Sequence, residues 1–316
     1  MKAAVVQELG HPPQYQDFAD PVAGENEVLV QVRAAGLHPI VKAVASGAHY
    51  SFGGGVPFIA GLDGVGTRSD GKRVYFGNAR RPWGTMAERC AAPAGLCLPL
   101  PAGIDDLQAA AIANPGMSAW LSLRDRAAIA PGETVLILGA TGVAGQLALQ
   151  FARHLGAKRV IAAGRNVDAI ARQDVDAIVS LKDPEDQVRE AFLAEATKGI
   201  DVVIDYLWGR PTELVLEALA KGFNPKATRS TRLVEVGESA GKTITLPGAT
   251  LRSIDLKILG SGFGAVPLDS ILSTIPTLFE MAAAGKFRVD VEPVPLTDVE
   301  AAWSRVEKGR RIVFTL

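Results

Sequence analysis

Residues 134–145 read TVLILGATGVAG, and this stretch decides the fold. The apolar run from Val135 to Leu138 has the composition of a buried parallel strand. Glycines follow at 139, 142 and 145. The next ten residues, QLALQFARHL (146–155), place Leu147, Leu149, Phe151 and Leu155 near one helical face. Strand, glycine turn and helix in that order form the context of a dinucleotide-binding turn. Gly139 allows the tight turn, Gly142 lets the backbone approach a pyrophosphate, and Gly145 lets the helix pack close to the strand. The free N–H groups and the positive dipole end of the helix then hold phosphates, which assigns Ala140, Thr141, Gly142, Val143 and Ala144 to cofactor binding. The spacing is GxxGxxG, not the commoner GxGxxG. A tight strand-to-helix turn that binds nothing would read the same way.

The second strand of this unit, RVIAAGRN (159–166), selects the cofactor. A site preferring NAD usually carries an acidic residue about 20 positions past the glycines, bonded to the ribose hydroxyls. Here Gly164 and Arg165 stand 19 and 20 positions after Gly145, and no carboxylate follows until Asp168. A glycine leaves room for a 2′-phosphate and a guanidinium grips it bidentately, with Asn166 as a further donor. The pattern points to NADP(H). The alternative is that Arg165 is a solvated residue capping a surface helix.

The rest of the chain bounds the answer. Its 316 residues suit two domains, and 48% hydrophobic content is ample for a core. A net charge of −1 gives no sign of nucleic acid or an anionic membrane surface. Cys90 and Cys97 are the two cysteines, and no signal peptide is visible, so a cytoplasmic, reducing location is expected. Residues 1–100 read as short strands and tight turns, with Val28, Val30 and Val32 alternating on one face. Two helices are expected over about 104–113 and 116–129, divided at Asn114-Pro115-Gly116. From residue 134 strands and helices alternate as a doubly wound parallel sheet of five or six strands. The segment after about 265 is not needed to finish that sheet and is expected to return to the first domain.

Taken together, these segments resemble the medium-chain dehydrogenase/reductase superfamily in its zinc-free quinone oxidoreductase branch. MKAAVV and EVLVQVRAAGLHP are similar to the family's opening strands, PFIAGLDGVG to its acidic glycine turn, and WGTMAER to its G-x-x-A-E strand. PAGIDDLQAAAIANPGMSAW resembles its helix pair, GATGVAG fills the nucleotide loop, and RLVEVG and LGSG resemble the last sheet strands. The resemblance covers nearly the whole chain. It implies an α/β protein with a GroES-like β-barrel catalytic domain (1–118 and 262–316) and an inserted Rossmann nucleotide-binding domain (119–261). It also implies a homodimer joined edge to edge through the sheets. GATGVAG with a following arginine is similar to atypical short-chain dehydrogenases too, but their loop lies near the N-terminus, and no Tyr-x-x-x-Lys is present here.

The resemblance also implies a chemistry: zinc-free hydride transfer from NADPH to a small electrophile, a quinone or an α,β-unsaturated carbonyl. The zinc-binding members' cysteine is missing from AAGLHPIVK (34–42), Leu62-Asp63 replaces their His-Glu pair, and four closely spaced cysteines are lacking, so no metal is expected. Family placement puts Asn114 and Ser118 near the nicotinamide carboxamide, Leu207 and Trp208 near the ribose, and Val236, Gly237, Ser261, Gly262 and Phe263 beside the ring. Tyr50 is similar in placement to a tyrosine beside the nicotinamide. His38 either donates to a substrate oxygen or holds a turn. The glycine-rich loop 51–58 has the composition of a lid. A non-catalytic NADPH-binding redox sensor on the same fold is the alternative function.

Overall fold

The computed structural model describes residues 1–49, 54–222, 230–306 and 309–316. In chain order the first strands are β1 (Lys2–Val6), β2 (Gln14–Asp17) and β3 (Glu27–Gly36), followed by helix α1 (Pro39–Ala45). Then come β4 (Phe58–Ile59), β5 (Asp63–Arg68), β6 (Arg73–Gly77), β7 (Arg89–Pro93), β8 (Leu98–Pro99) and α2 (Asp106–Leu121). The alternating part is β9 (Thr134–Leu138), α3 (Val143–His154), β10 (Arg159–Gly164), α4 (Val167–Ile170), β11 (Ala177–Ser180), α5 (Glu185–Ala196), β12 (Val202–Asp205), α6 (Gly209–Lys221), β13 (Thr231–Glu235), α7 (Gly248–Ser253) and β14 (Leu256–Gly260). The chain closes with α8 (Leu268–Ala283), β15 (Val291–Pro295), α9 (Val299–Trp303) and β16 (Arg311–Thr315). It divides into two compact units, Met1–Pro115 with Ile275–Leu316, and Gly116–Thr274.

In the first unit β3 is the hub. Alternation buries Val30, Val32 and Ala34 and turns Gln31 and Arg33 outward, so β3 can pair on both edges. It takes β5 and β7 antiparallel from the N-terminal segment and β16 from the chain's end, with Val313 opposite Gly36. The sequence suggested a barrel. The strands group as a three-stranded sheet β2-β1-β4 and a longer path β15-β16-β3-β5-β6-β8, with β7 also on β3. Residues 86–88 join the two: Ala4 N–H donates to Met86 O and Glu88 N–H to Lys2 O, Ala3 bridges Ala87, and Val32 N–H donates to Glu88 O. Leu37, Phe58, Met86, Trp303 and Phe314 fill the core between.

The second unit is a six-stranded parallel sheet in the order β11-β10-β9-β12-β13-β14. The sequence order reverses between β9 and β12, the doubly wound Rossmann arrangement with its crevice at the switch. Leu136, Ile161, Val203 and Leu233 on one sheet face pack with Phe192 of α5 and Leu214 of α6.

The two helices expected over 104–129 are one. α2 runs 16 residues through Pro115 and continues as a π turn, Ser122–Arg126, closed by Ala127 N–H to Ser122 O. An interior proline costs about 3 kcal/mol. Ile112, Trp120, Leu121 and Leu123 are buried on either side of it. At about 1.5–3 kcal/mol each, their burial outweighs that cost. Among the described residues no helix is long and apolar enough to cross a membrane.

Both cysteines are free and buried. Burial pushes the Cys90 thiol up to about 12, with smaller contributions from Cys97 and Glu27, and burial also raises Cys97. Thiolate is the reactive form. A colorimetric disulfide reagent at pH 8 is therefore expected to leave both thiols of the native protein unlabelled over minutes and to label both in denaturant.

Candidate nucleotide site

The turn after β9 is built by backbone contact. Gly139 sits at φ +85°, and a Cβ there would lie 3.2 Å from the Tyr206 and Leu207 side chains. Gly145 is held tighter: a Cβ would be 2.3 Å from Gly139 O and 2.8 Å from Ala140 Cα. Gly142 is the N-cap of α3, at φ −74° and ψ 160°, and no side chain caps the helix. It is exposed, and the nearest atom to a Cβ there is 3.6 Å away. Ala140 and Val143 are buried, so they can offer a ligand main-chain groups only. Thr141 and Ala144 are half-buried. The first-turn N–H groups of a helix have no intrahelical acceptor, which leaves an anion-binding end beside an open glycine.

Two expectations about β10 change. The missing side chain of Gly164 does not leave room for a phosphate: a Cβ there would meet Thr141 Cγ2 at 2.9 Å and Ile170 Cδ1 at 3.0 Å, so protein fills the space. Asn166 also serves as an acceptor, through an oxygen separate from its donor N–H2. Its Oδ1 takes the Ala169 N–H at 3.2 Å and caps α4, the capping role considered for Arg165. Arg165 itself is exposed and, among the described residues, makes no hydrogen bond or ion pair. Its guanidinium is available to an anion.

Register aligns the remaining residues. Ala163, Leu138, Asp205, Glu235 and Gly260 are successive cross-strand partners, so β10, β9, β12, β13 and β14 end level. The residues that follow the strands, Arg165, Gly139, Tyr206 with Leu207, Val236 and Ser261, share the carboxyl edge of the sheet, where open α/β sheets bind ligands. Gly237 follows Val236, its missing Cβ 3.3 Å from Tyr206 O. Gly262 and Phe263 are exposed, Phe263 by 51%, so this ring is not core. Asn114 and Ser118 lie one turn apart on α2. Ser118 O accepts the Ser122 hydroxyl at 2.7 Å, and Ser122 Oγ lies 2.9 Å from Ser261 Oγ. One hydroxyl proton cannot serve both, so Ser261 donates to Ser122. The π turn thereby ties α2 to the end of β14, as does Arg126 Nε donating to Gly260 O at 2.8 Å.

Three groups on this edge escaped the sequence reading. Asp205 is wholly buried; burial pushes its carboxyl up, and bonds from Thr212, Trp208 and Leu207 draw it back. The Tyr206 hydroxyl is buried without a partner, and burial raises it far above the usual phenol range. Glu235 is half-buried and raised by burial, then by the carboxylates of Asp205 and Glu238. An acid closing an apolar strand, VVID or RLVE, was the available signal.

The catalytic expectations fare differently. Tyr50 lies outside the described residues, as do positions 51–53 of the loop read as a lid. His38 is wholly buried in the first unit. Its Nε2 is 3.4 Å from Asp63 Oδ1, and Asp63 Oδ2 accepts the Tyr75 hydroxyl at 2.9 Å. The ring turns inward because Gly36 has no Cβ; one would stand 2.5 Å from Nε2. Among the described residues neither ring nitrogen makes a hydrogen bond, so the ring is placed by packing beside Asp63. Among the described residues no three His, Cys, Asp or Glu side chains group as metal ligands.

An uncapped helix end, an open glycine, an unpaired guanidinium and an orphaned phenol on one sheet edge fit a phosphate-bearing dinucleotide. The second unit is thus of the dinucleotide-binding class. No family model matches the chain. It is 30% identical over 278 residues to the quinone oxidoreductase of Lama guanicoe, spanning 80% of this chain and 81% of that one. It is 26% identical to a probable NADPH-dependent quinone reductase of Emericella nidulans over 99% of both. Among solved structures it is similar to the quinone oxidoreductase of Thermus thermophilus, determined also in complex with NADPH, with 29% identity, full coverage of both chains and a TM-score of 0.79. The chain belongs to the quinone oxidoreductase branch of the medium-chain dehydrogenase/reductase superfamily.

Gly145→Ala tests the turn. Alanine favours a helix interior by about 1 kcal/mol, but the new methyl strikes main-chain atoms that cannot rotate away. Overpacking of about 1–3 kcal/mol or more should dominate. Urea denaturation is expected to show net destabilisation together with weaker NADPH binding.

Proposed function

We propose that this protein is an NADP(H)-dependent oxidoreductase that reduces a quinone or an α,β-unsaturated carbonyl compound without a metal. The observation that carries the reading is the unpaired Arg165 on the same sheet edge as the uncapped start of α3. A nucleotide with both a pyrophosphate and a 2′-phosphate uses both features. The named activities of the relatives, among them the NADPH-dependent reductase at 26% identity, support it.

Bound NADPH would supply the hydride; the chain's residues supply binding and orientation. The first-turn N–H groups of Val143 and Ala144 would hold the pyrophosphate, and Arg165 the 2′-phosphate. Reduction leaves negative charge on an acceptor oxygen. A reduced quinone carries that charge on an oxygen attached to an aromatic ring, where it is weakly basic, so a hydrogen-bond donor and one proton suffice. Tyr50 is the donor this reading retains, on its sequence placement. In this reading the polarising role falls to such donors.

A second copy of the chain is proposed as the partner. β14 pairs with β13 on one side and has no strand on the other among the described residues. Ile258 on that edge is 36% exposed, and Leu251 and Phe263 nearby in sequence are about half exposed. An open apolar edge invites strand pairing with a second copy. Sedimentation is expected to show a dimer that Ile258→Lys converts to monomer.

Turnover of NADPH and NADH against a benzoquinone, a naphthoquinone, a cyclic enone and an enoyl thioester, with a chelator present, tests the reaction. NADPH-driven turnover that survives the chelator is expected; tight NADPH binding without turnover on any acceptor would favour the sensor. Arg165→Ala should weaken NADPH by about 1.5–3 kcal/mol and leave NADH nearly unchanged. Equal losses would remove the 2′-phosphate assignment.

A further inference from the structure

Asp205 closes β12, and no step above uses it. Its side-chain Oδ1 accepts the N–H groups of Leu207 at 2.8 Å and Trp208 at 2.9 Å. Oδ2 accepts the Thr212 hydroxyl from α6 at 2.5 Å. Its main-chain oxygen accepts the N–H groups of Val236 at 2.8 Å and Gly237 at 3.2 Å. One fully buried residue therefore fixes two loops, those after β12 and β13.

The first loop needs fixing. Trp208 lies at φ +54° and Gly209 at φ +62°, consecutive left-handed residues of which one is a tryptophan. A bulky residue adopts that conformation only where its surroundings impose it. A carboxylate accepting the N–H groups two and three residues ahead does so. Thr212 in turn holds the carboxylate against α6.

The position on the sheet says what the loops serve. A doubly wound sheet binds a dinucleotide as two mononucleotide halves on either side of the switch point. The phosphate turn follows β9, and the unpaired Arg165 follows β10, on the 2′-phosphate side. β12 and β13 lie across the switch, on the nicotinamide side. We propose that Asp205 is the positioning residue for the nicotinamide half of the cofactor. It touches no ligand; it sets the Leu207–Trp208 and Val236–Gly237 backbones against which the nicotinamide nucleoside lies. This rests on the nicotinamide-cofactor reading of the site.

Half-cofactors separate the two sides. Calorimetry on the full chain would measure NADPH, 2′,5′-ADP and reduced nicotinamide mononucleotide. Asp205→Ala should weaken NADPH and the mononucleotide about tenfold or more and leave 2′,5′-ADP within about twofold. Asp205→Asn should restore most of the loss, because its amide oxygen still accepts both N–H groups. Equal weakening of both halves, or of neither, would overturn the assignment. If the alanine variant does not fold, Thr212→Val carries the test: roughly threefold weaker mononucleotide binding with 2′,5′-ADP unchanged is expected, and unchanged mononucleotide binding overturns it. Wild-type protein that binds 2′,5′-ADP but neither the mononucleotide nor NADPH would remove the nicotinamide reading itself, and Asp205's role with it.

Discussion

The close approach of α3 to β9 governs the second unit. Gly145 has no Cβ, and that absence lets the first turn of the helix rest on the carbonyl of Gly139. With the helix that close, its axis is directed by the strand below it. Its N–H groups emerge where β10, β12, β13 and β14 also end. The chain spends no side chain on capping this helix. α4, by contrast, is capped by Asn166. An unsatisfied helix start is costly in isolation and useful where an anion completes it.

The same edge is electrically uneven. On the β10 side stands the exposed Arg165 guanidinium, which has no counter-ion among the described residues. On the β12 and β13 side stand two carboxylates level with one another, Asp205 and Glu235, the second pushed upward partly by the first. A phosphorylated ribose suits the first side. A nicotinamide ring, which is cationic when oxidised, suits the second. Tyr206 joins the two sides, its Cβ beside the Gly139 turn and its main-chain oxygen beside Gly237.

What could be read from the sequence was what local chemistry determines. Three glycines between a strand and a helix carry their spacing with them, and Gly139 and Gly145 take the structural roles that spacing implies. β3 and the returning tail were legible because alternation and an unneeded last segment are visible in one dimension. The failures share a cause. Gly164 looked like space for a ligand because nothing nearby in sequence could fill it; Thr141 arrives from 23 positions away. Pro115 looked like a helix end because proline's local cost is evident and the burial opposing it is not. Asp205 was passed over because its importance comes from two loops meeting one strand end. His38 was equally readable as donor or turn holder, and the ring's burial beside Gly36 and Asp63 was not visible in one dimension.

The discontinuity of the first unit has a consequence for how the molecule comes into being. β3 is among the earliest strands to leave the ribosome, yet part of one edge is filled by Arg311–Thr315, which follows the whole parallel sheet in sequence. β7 fills residues 27–31 of that edge early, but residues 34–36 have no native strand to pair with until β16 is made. The parallel sheet between needs neither terminus and can close on its own sequence while translation continues. Domains tend to fold as units in order of synthesis. Here the inserted unit should reach its native form while the flanking one still lacks β16, and the far end of β3 waits with its core face uncovered.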